Sequence, residues 1–187
     1  MSLMLLGILN SQAAGGGGVP AYDLLETTTL TSTTSSITFS GLGSYSDYAH
    51  LQIRAVHRDT RTSLHSAIAL MRFNGESSNY SFHRLVGNGS SVSSGFANYA
   101  GIYMGLSSTN QTVSGNFAST TCDILDAFSS TKNTTVRSLS GHSLGSVLLL
   151  SSLWRVTDPI TSINIFPDDS NSWVAGCRFS LYGIKGA

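Results

Sequence analysis

The sequence predicts an all-β chain: a single antiparallel β-sandwich, jelly-roll-like, with an extended N-terminal arm. Three observations lead there. From Thr134 to Lys185 the chain holds four short apolar runs, TTVRSLSG, GSVLLLSSLW, ITSINIF and WVAGCRFSLYGIK, separated by Gly, Ser, Asp or Pro. Runs rich in β-branched and aromatic residues, punctuated this way, mark antiparallel strands. Upstream, Asp47–Arg58 alternates, with Ala49, Leu51, Ile53 and Ala55 on one face and Tyr48, His50, Gln52 and Arg54 on the other. That is the period of a half-buried strand. No long helical period competes, and about nine to eleven strands fit the spacing of sandwiches and barrels.

Taken in order, residues 1–18 form an apolar arm and glycine hinge, and residues 19–187 form the sandwich domain. The arm reads MSLMLLGILNSQAAGGGG. Its apolar block is far too short to span a bilayer, and it lacks the basic n-region of a signal peptide. Met4, Leu5, Leu6, Ile8 and Leu9 are therefore expected to insert into a neighbouring subunit as an assembly anchor. Tyr22–Ser40 reads as two strands with a Thr/Ser-rich connection, followed by a turn at Gly41 and Gly43. Ala67–Asn74 and Asn79–Gly87 are strands joined through a turn beginning Asn74-Gly75, a pair that favours tight reversal. Ser91–Thr112 is looser, with a strand around Ala100–Met104. Ala118–Phe128 suits a strand or a short helix.

The 187 residues suit one domain, large enough for a core that needs neither disulfides nor metal. Charged residues make up only 11%, ten basic and ten acidic, against roughly 25% in average globular chains. So balanced a surface gives no field favouring nucleic acid or an anionic membrane, and neither is an expected partner. Low charge also suits subunits that pack closely. Cys122 and Cys177 lack the neighbours of a zinc site. They read as small buried hydrophobes, with a disulfide left open. No P-loop, dinucleotide fingerprint, EF-hand or HExxH motif is present, so no cofactor and no metal are expected.

One motif points to chemistry. Gly141-His142-Ser143-Leu144-Gly145 matches the G-x-S-x-G pattern of serine hydrolases. Its context does not. That elbow joins a strand to a helix, and its triad runs Ser, acid, His. Here no histidine follows His142, and helices are lacking on both sides. The pentapeptide reads as a loop between two strands, and the chain as a non-enzyme. His50, His57, His65 and His83 lie near Asp47, Asp59 and Glu76. They read as surface or cross-strand histidines, with His50 and His57 on opposite strand faces. Arg54, Arg58, Arg61, Arg72 and Arg84 read as cross-strand partners of Asp47 or Glu76. Trp154 reads as core. The seven tyrosines offer a glycan-binding face as an alternative.

The segments LLGILNSQAAG, YDLLETTTLTSTTSSITFSGL, YAHLQIRAVHRD, RFNGESSNYSFHRLVGNGSSV, DILDAFSSTKNTTVRSLSG and FSLYGIK carry a resemblance across most of the chain. It resembles a family of small structural proteins of tailed bacteriophages. The resemblance implies a non-enzymatic component of the virion, a β-sandwich displayed as a tail fibre or appendage or as a capsid decoration. Its expected partners are other virion proteins, reached through residues 1–18. A homo-oligomer is expected, a trimer or another ring, since several arms together hold better than one. A receptor or host-surface glycan is the alternative partner, and an esterase using Ser143 the alternative activity. Ser143→Ala is expected to leave both ester turnover and fluorophosphonate labelling at the background of the unmodified chain. An esterase activity abolished by that substitution would establish the elbow instead.

Overall fold

The computed structural model describes residues 21–142 and 145–186. The arm residues Met4, Leu5, Leu6, Ile8 and Leu9 lie outside the described residues, as do Ser143 and Leu144. The described chain forms β1 (Tyr22–Thr29), β2 (Ile37–Ser40), a 3-10 turn (Leu42–Tyr45), β3 (His50–Asp59), β4 (Ser66–Phe73), β5 (Tyr80–Gly87) and β6 (Val92–Tyr99). It continues as β7 (Ile102–Thr109), β8 (Ala118–Leu125), β9 (Thr134–His142), β10 (Ser146–Trp154), β11 (Ser162–Pro167) and β12 (Arg178–Ile184).

The topology follows from pairing first strands with last. β1 pairs β12, β2 pairs β11, β3 pairs β8 and β4 pairs β7, all antiparallel. The ribbon of four pairs is wrapped so that alternate pairs fall in opposite sheets, with β12 also beside β3 and β11 beside β4. This is the jelly-roll arrangement. Two hairpins are inserted into it. β5–β6 lies between β4 and β7, and β9–β10 between β8 and β11. Both extend the larger sheet, which runs β1-β12-β3-β8-β9-β10-β5-β6, while the smaller runs β2-β11-β4-β7. One step departs from the expected antiparallel scheme. β3 and β7 run parallel over Arg58↔Ser108 and Asp59↔Thr109, and this short contact joins the sheets.

The core lies between the two inner faces. Ile37, Phe39, Met71, Phe73, Ile163 and Ile165 of the smaller sheet meet Leu51, Ile53, Ile124, Val136, Phe179 and Leu181 of the larger. Trp154 is core, as its sequence position suggests. It stacks on Tyr80 with centroids 6.3 Å apart and meets Phe73 edge-on at 5.4 Å. Under the inserted hairpins a second cluster buries Phe82, Leu148 and Leu150 against Tyr103.

Twelve strands are present among the described residues rather than nine to eleven. The excess comes from Ser91–Thr112, which holds two strands. β6 is an edge strand of Ser, Gly and Asn with its outer positions exposed, and β7 is buried on both faces, so neither shows alternation. Asn74-Gly75 makes the expected turn, both residues at positive φ. Ala118–Leu125 is a strand, with Ala118, Thr120, Cys122 and Ile124 inward. Both cysteines are free and buried. Burial pushes the Cys122 thiol up to about 12.

His57 corrects the expectation of a surface histidine. Counting by twos from Leu51, Ile53 and Ala55 carries it to the core face, where it is fully enclosed. Its ring lies 5.4 Å from Trp173 and 6.3 Å from Phe179. Its Nε2 shares a hydrogen bond with Thr120 Oγ1 at 2.9 Å, and Thr120 Oγ1 donates to Ser140 Oγ at 3.1 Å. Ser140 sits where β9 crosses β7 most closely. A Cβ on Gly105 (φ +152) would fall 2.2 Å from the Ser140 Cβ, so only glycine fits there.

The arginines also differ from expectation, for none pairs with Asp47 or Glu76 among the described residues. Those two carboxylates lie exposed in loops rather than opposite a strand arginine. Arg58 is buried at 6% exposure. Its guanidinium donates to Asn110 Oδ1, Thr112 Oγ1 and the carbonyls of Thr112, Val113 and Asn116 at 2.7–3.2 Å. Arg54 stacks over Tyr182, Arg72 over Phe166, and Arg61 pairs with Asp169 at 3.1 Å. The planar guanidinium suits such stacking.

Two outcomes follow from this packing. Gly105→Ala is expected to lower unfolding free energy by roughly 1–3 kcal/mol, the cost of an overfilled contact, and Ser140→Gly in the same chain to restore part of it; urea denaturation measures both. Burial lowers the His57 pKa from 6.5 to about 4. The unfolded chain then takes up this proton first, so stability is full above the unfolded value and declines as pH falls from 6.5 towards 4. The loss through that window is roughly 3 kcal/mol. His57→Leu should flatten that part of a stability–pH profile.

Candidate functional site

The inserted hairpins create a broad solvent face on the larger sheet. β10 is the strand that shows why. In SVLLLSSLW, Leu148, Leu150, Ser152 and Trp154 point inward, and Val147 and Leu149 point out with 57% and 53% exposure. The pairing register sets further apolar residues beside them. Leu139 of β9 lies opposite Leu149, which lies opposite Leu85 of β5. One row away, Val147 lies opposite Gly87, and Gly87 opposite Val92 of β6. On the other side Ser151 faces His83, and His83 faces Phe96. Directly opposed residues on one face are close enough for side chains to touch, and diagonal ones lie within reach of long side chains. Leu139, Leu149 and Leu85 therefore form a row that Val147, Val92 and Phe96 flank on the same face, together an apolar stripe.

A groove of about 840 Å³ runs over this face from β8 to β6. Leu139, Leu149 and Leu85 form its floor, and Phe96 its far wall. Phe96 is 77% exposed and stacks on His83 with centroids 5.5 Å apart. At the near end Arg137 donates to Asp123 at 3.2 Å. Gln52 donates to the other oxygen of Asp123 at 2.6 Å, which explains why this outward-facing residue of β3 is buried. The groove therefore offers an apolar centre with one paired acid and base at its rim. Exposed apolar surface of this kind gains stability when it is covered.

The sequence-derived candidates distribute elsewhere. The anchor residues Met4, Leu5, Leu6, Ile8 and Leu9 lie outside the described residues, as does Ser143. The strands flanking Ser143 pair with each other, Ser146 opposite His142, and the Gly145 N–H donates to the His142 carbonyl at 3.2 Å. The described residues on either side of Ser143 thus belong to paired strands, and the chain continues from Ser146 as a strand rather than a helix. Burial lowers the pKa of His142. His50 Nδ1 accepts the Asp126 N–H at 2.9 Å and is occupied in holding that turn. Of the four upstream histidines only His83 reaches the groove, and no group of three His, Cys, Asp or Glu that would hold a metal occurs among the described residues. Sequence reasoning misses the stripe itself. Its signal is the unbroken run Val147–Leu150, since a strand apolar on both faces requires cover on both sides.

No protein-family model matches this chain, and no curated protein matches it. Among solved structures, an alginate lyase mutant in complex with alginate tetrasaccharide is weakly similar. The TM-score is 0.24 with 10% identity over 80% of this chain and 79% of that one.

Proposed function

We propose that this chain is a non-enzymatic structural subunit of a tailed-bacteriophage particle. It is an exterior jelly-roll module, on a tail appendage or as a capsid decoration, fixed through residues 1–18 and present as a homo-oligomer. The observation that carries the reading is the apolar stripe on an otherwise solvent-facing sheet, which suits a subunit built to be covered by neighbours. The low charge of the chain supports it, because closely packed subunits need not desolvate many ions. So does the resemblance of its strand and turn segments to small phage structural proteins. A second reading, a glycan-binding module of the tail, rests on Phe96 standing exposed on His83 at the end of the groove, an aromatic platform of the kind sugars stack on.

Attachment would come from burial of Met4, Leu5, Leu6, Ile8 and Leu9, each worth roughly 1.5–3 kcal/mol before ordering costs. Deleting residues 1–14 is expected to leave a soluble, folded domain that is absent from purified particles. Quantitative mass spectrometry of particles made with the full and shortened chains measures this. Shortened chain found at the level of the full one would refute the anchor, and absence of the full chain from particles would refute the virion assignment.

A further inference from the structure

The size of the stripe indicates what covers it. Its six apolar residues, Leu85, Val92, Phe96, Leu139, Val147 and Leu149, are 46–77% exposed. Together they present on the order of 700 Å², where monomers seldom expose a contiguous patch above a few hundred. A partner in a complex of standard size covers about 800 Å² per side, so the stripe with its polar rim has the area of a protein interface. Its chemistry narrows the partner. Three leucines in a row would leave a sugar's hydroxyls unpaired, which is costly. At the rim Asp123 and Arg137 pair with each other, on a chain of zero net charge. With its acid and base already paired, that rim puts little net charge in the way of a second copy, and a two-fold contact needs only a self-complementary patch.

We propose that the outer face of β9, β10 and β5 is where copies of this chain join, the occupant of the groove being a second copy. This rests on the homo-oligomeric part of the reading above and not on the virion. Leu149, at the centre of the row, is its main contact, as central apolar residues dominate such interfaces.

Sedimentation equilibrium of the full chain at micromolar concentrations tests this, alongside Leu149→Arg, Leu139→Gln and Ser32→Arg, the last on an exposed loop away from the stripe. The unmodified chain and Ser32→Arg are expected to associate. Leu149→Arg should weaken association by at least about tenfold, and Leu139→Gln by less in the same direction. Far-UV circular dichroism and melting temperature establish that each variant is folded; if Leu149→Arg is not, Leu139→Gln decides. A monomeric unmodified chain, or association indifferent to both stripe variants, overturns the proposal. So does association lost on deleting residues 1–14 while both stripe variants associate normally, since the arm would then be the joint. A chain that associates through the stripe yet is missing from purified particles upholds this proposal and removes the virion assignment. A chain present in particles but monomeric in solution does the reverse.

Discussion

The fold depends on the place where the end of β3 passes from one sheet to the other. Arg58 and Asp59 leave the larger sheet there and pair with β7 of the smaller. The segment is held from three sides. Cys177 Sγ accepts the Arg58 N–H at 3.3 Å and lies 3.2 Å from its carbonyl. The Val174 N–H donates to that carbonyl at 3.1 Å, and Asp59 bridges to Trp173. The guanidinium of Arg58 reaches away to organise Asn110–Asn116, satisfying backbone carbonyls of the β7–β8 connection. A buried cation is tolerated only when its donors are matched, and here the matching is what fixes the loop. The polar character of this junction also explains why burial alone does not account for the architecture.

Further along β7, β9 passes close enough that Gly105 faces Ser140 and the Leu106 N–H donates to the Ser140 hydroxyl. The inserted hairpins then continue the larger sheet beyond the jelly-roll body. Their inner faces find Tyr103, Ile68 and Leu106, while their outer faces have nothing of this chain above them among the described residues. The apolar stripe is thus a product of topology and sequence together. The topology supplies a two-sided sheet; β10 places leucines on both of its sides, and β9 and β5 add Leu139 and Leu85 on the outer one.

Fold class was legible in the sequence because strand periodicity is a local signal. The alternation in β3, the turn at Asn74-Gly75 and the four C-terminal runs are each carried within a few residues. What was not legible depended on distant neighbours. β7 shows no alternation because both its faces are covered, and β6 shows little because an edge strand of Ser and Gly looks like a loop. His57 could be assigned to a face by counting, yet its titratable side chain argued for the surface, and only the aromatic enclosure decides otherwise. The arginines found partners on remote elements rather than on the adjacent strands sequence suggested. The candidate site was the least legible part. Leu85, Phe96, Leu139 and Leu149 come from four strands, and nothing local brings their row together.

The inserted hairpins are rooted in the core of the body by Tyr80 and Trp154, and beyond those roots they project from it. In β5–β6 the first residue, Tyr80, lies directly across from the last, Tyr99, so the excursion begins and ends at neighbouring positions. A segment whose two ends are adjacent can be lengthened, shortened or exchanged without moving the strands on either side. The eight-strand body is then a fixed chassis, and the specificity of whatever meets its outer wall is free to change through one short cassette.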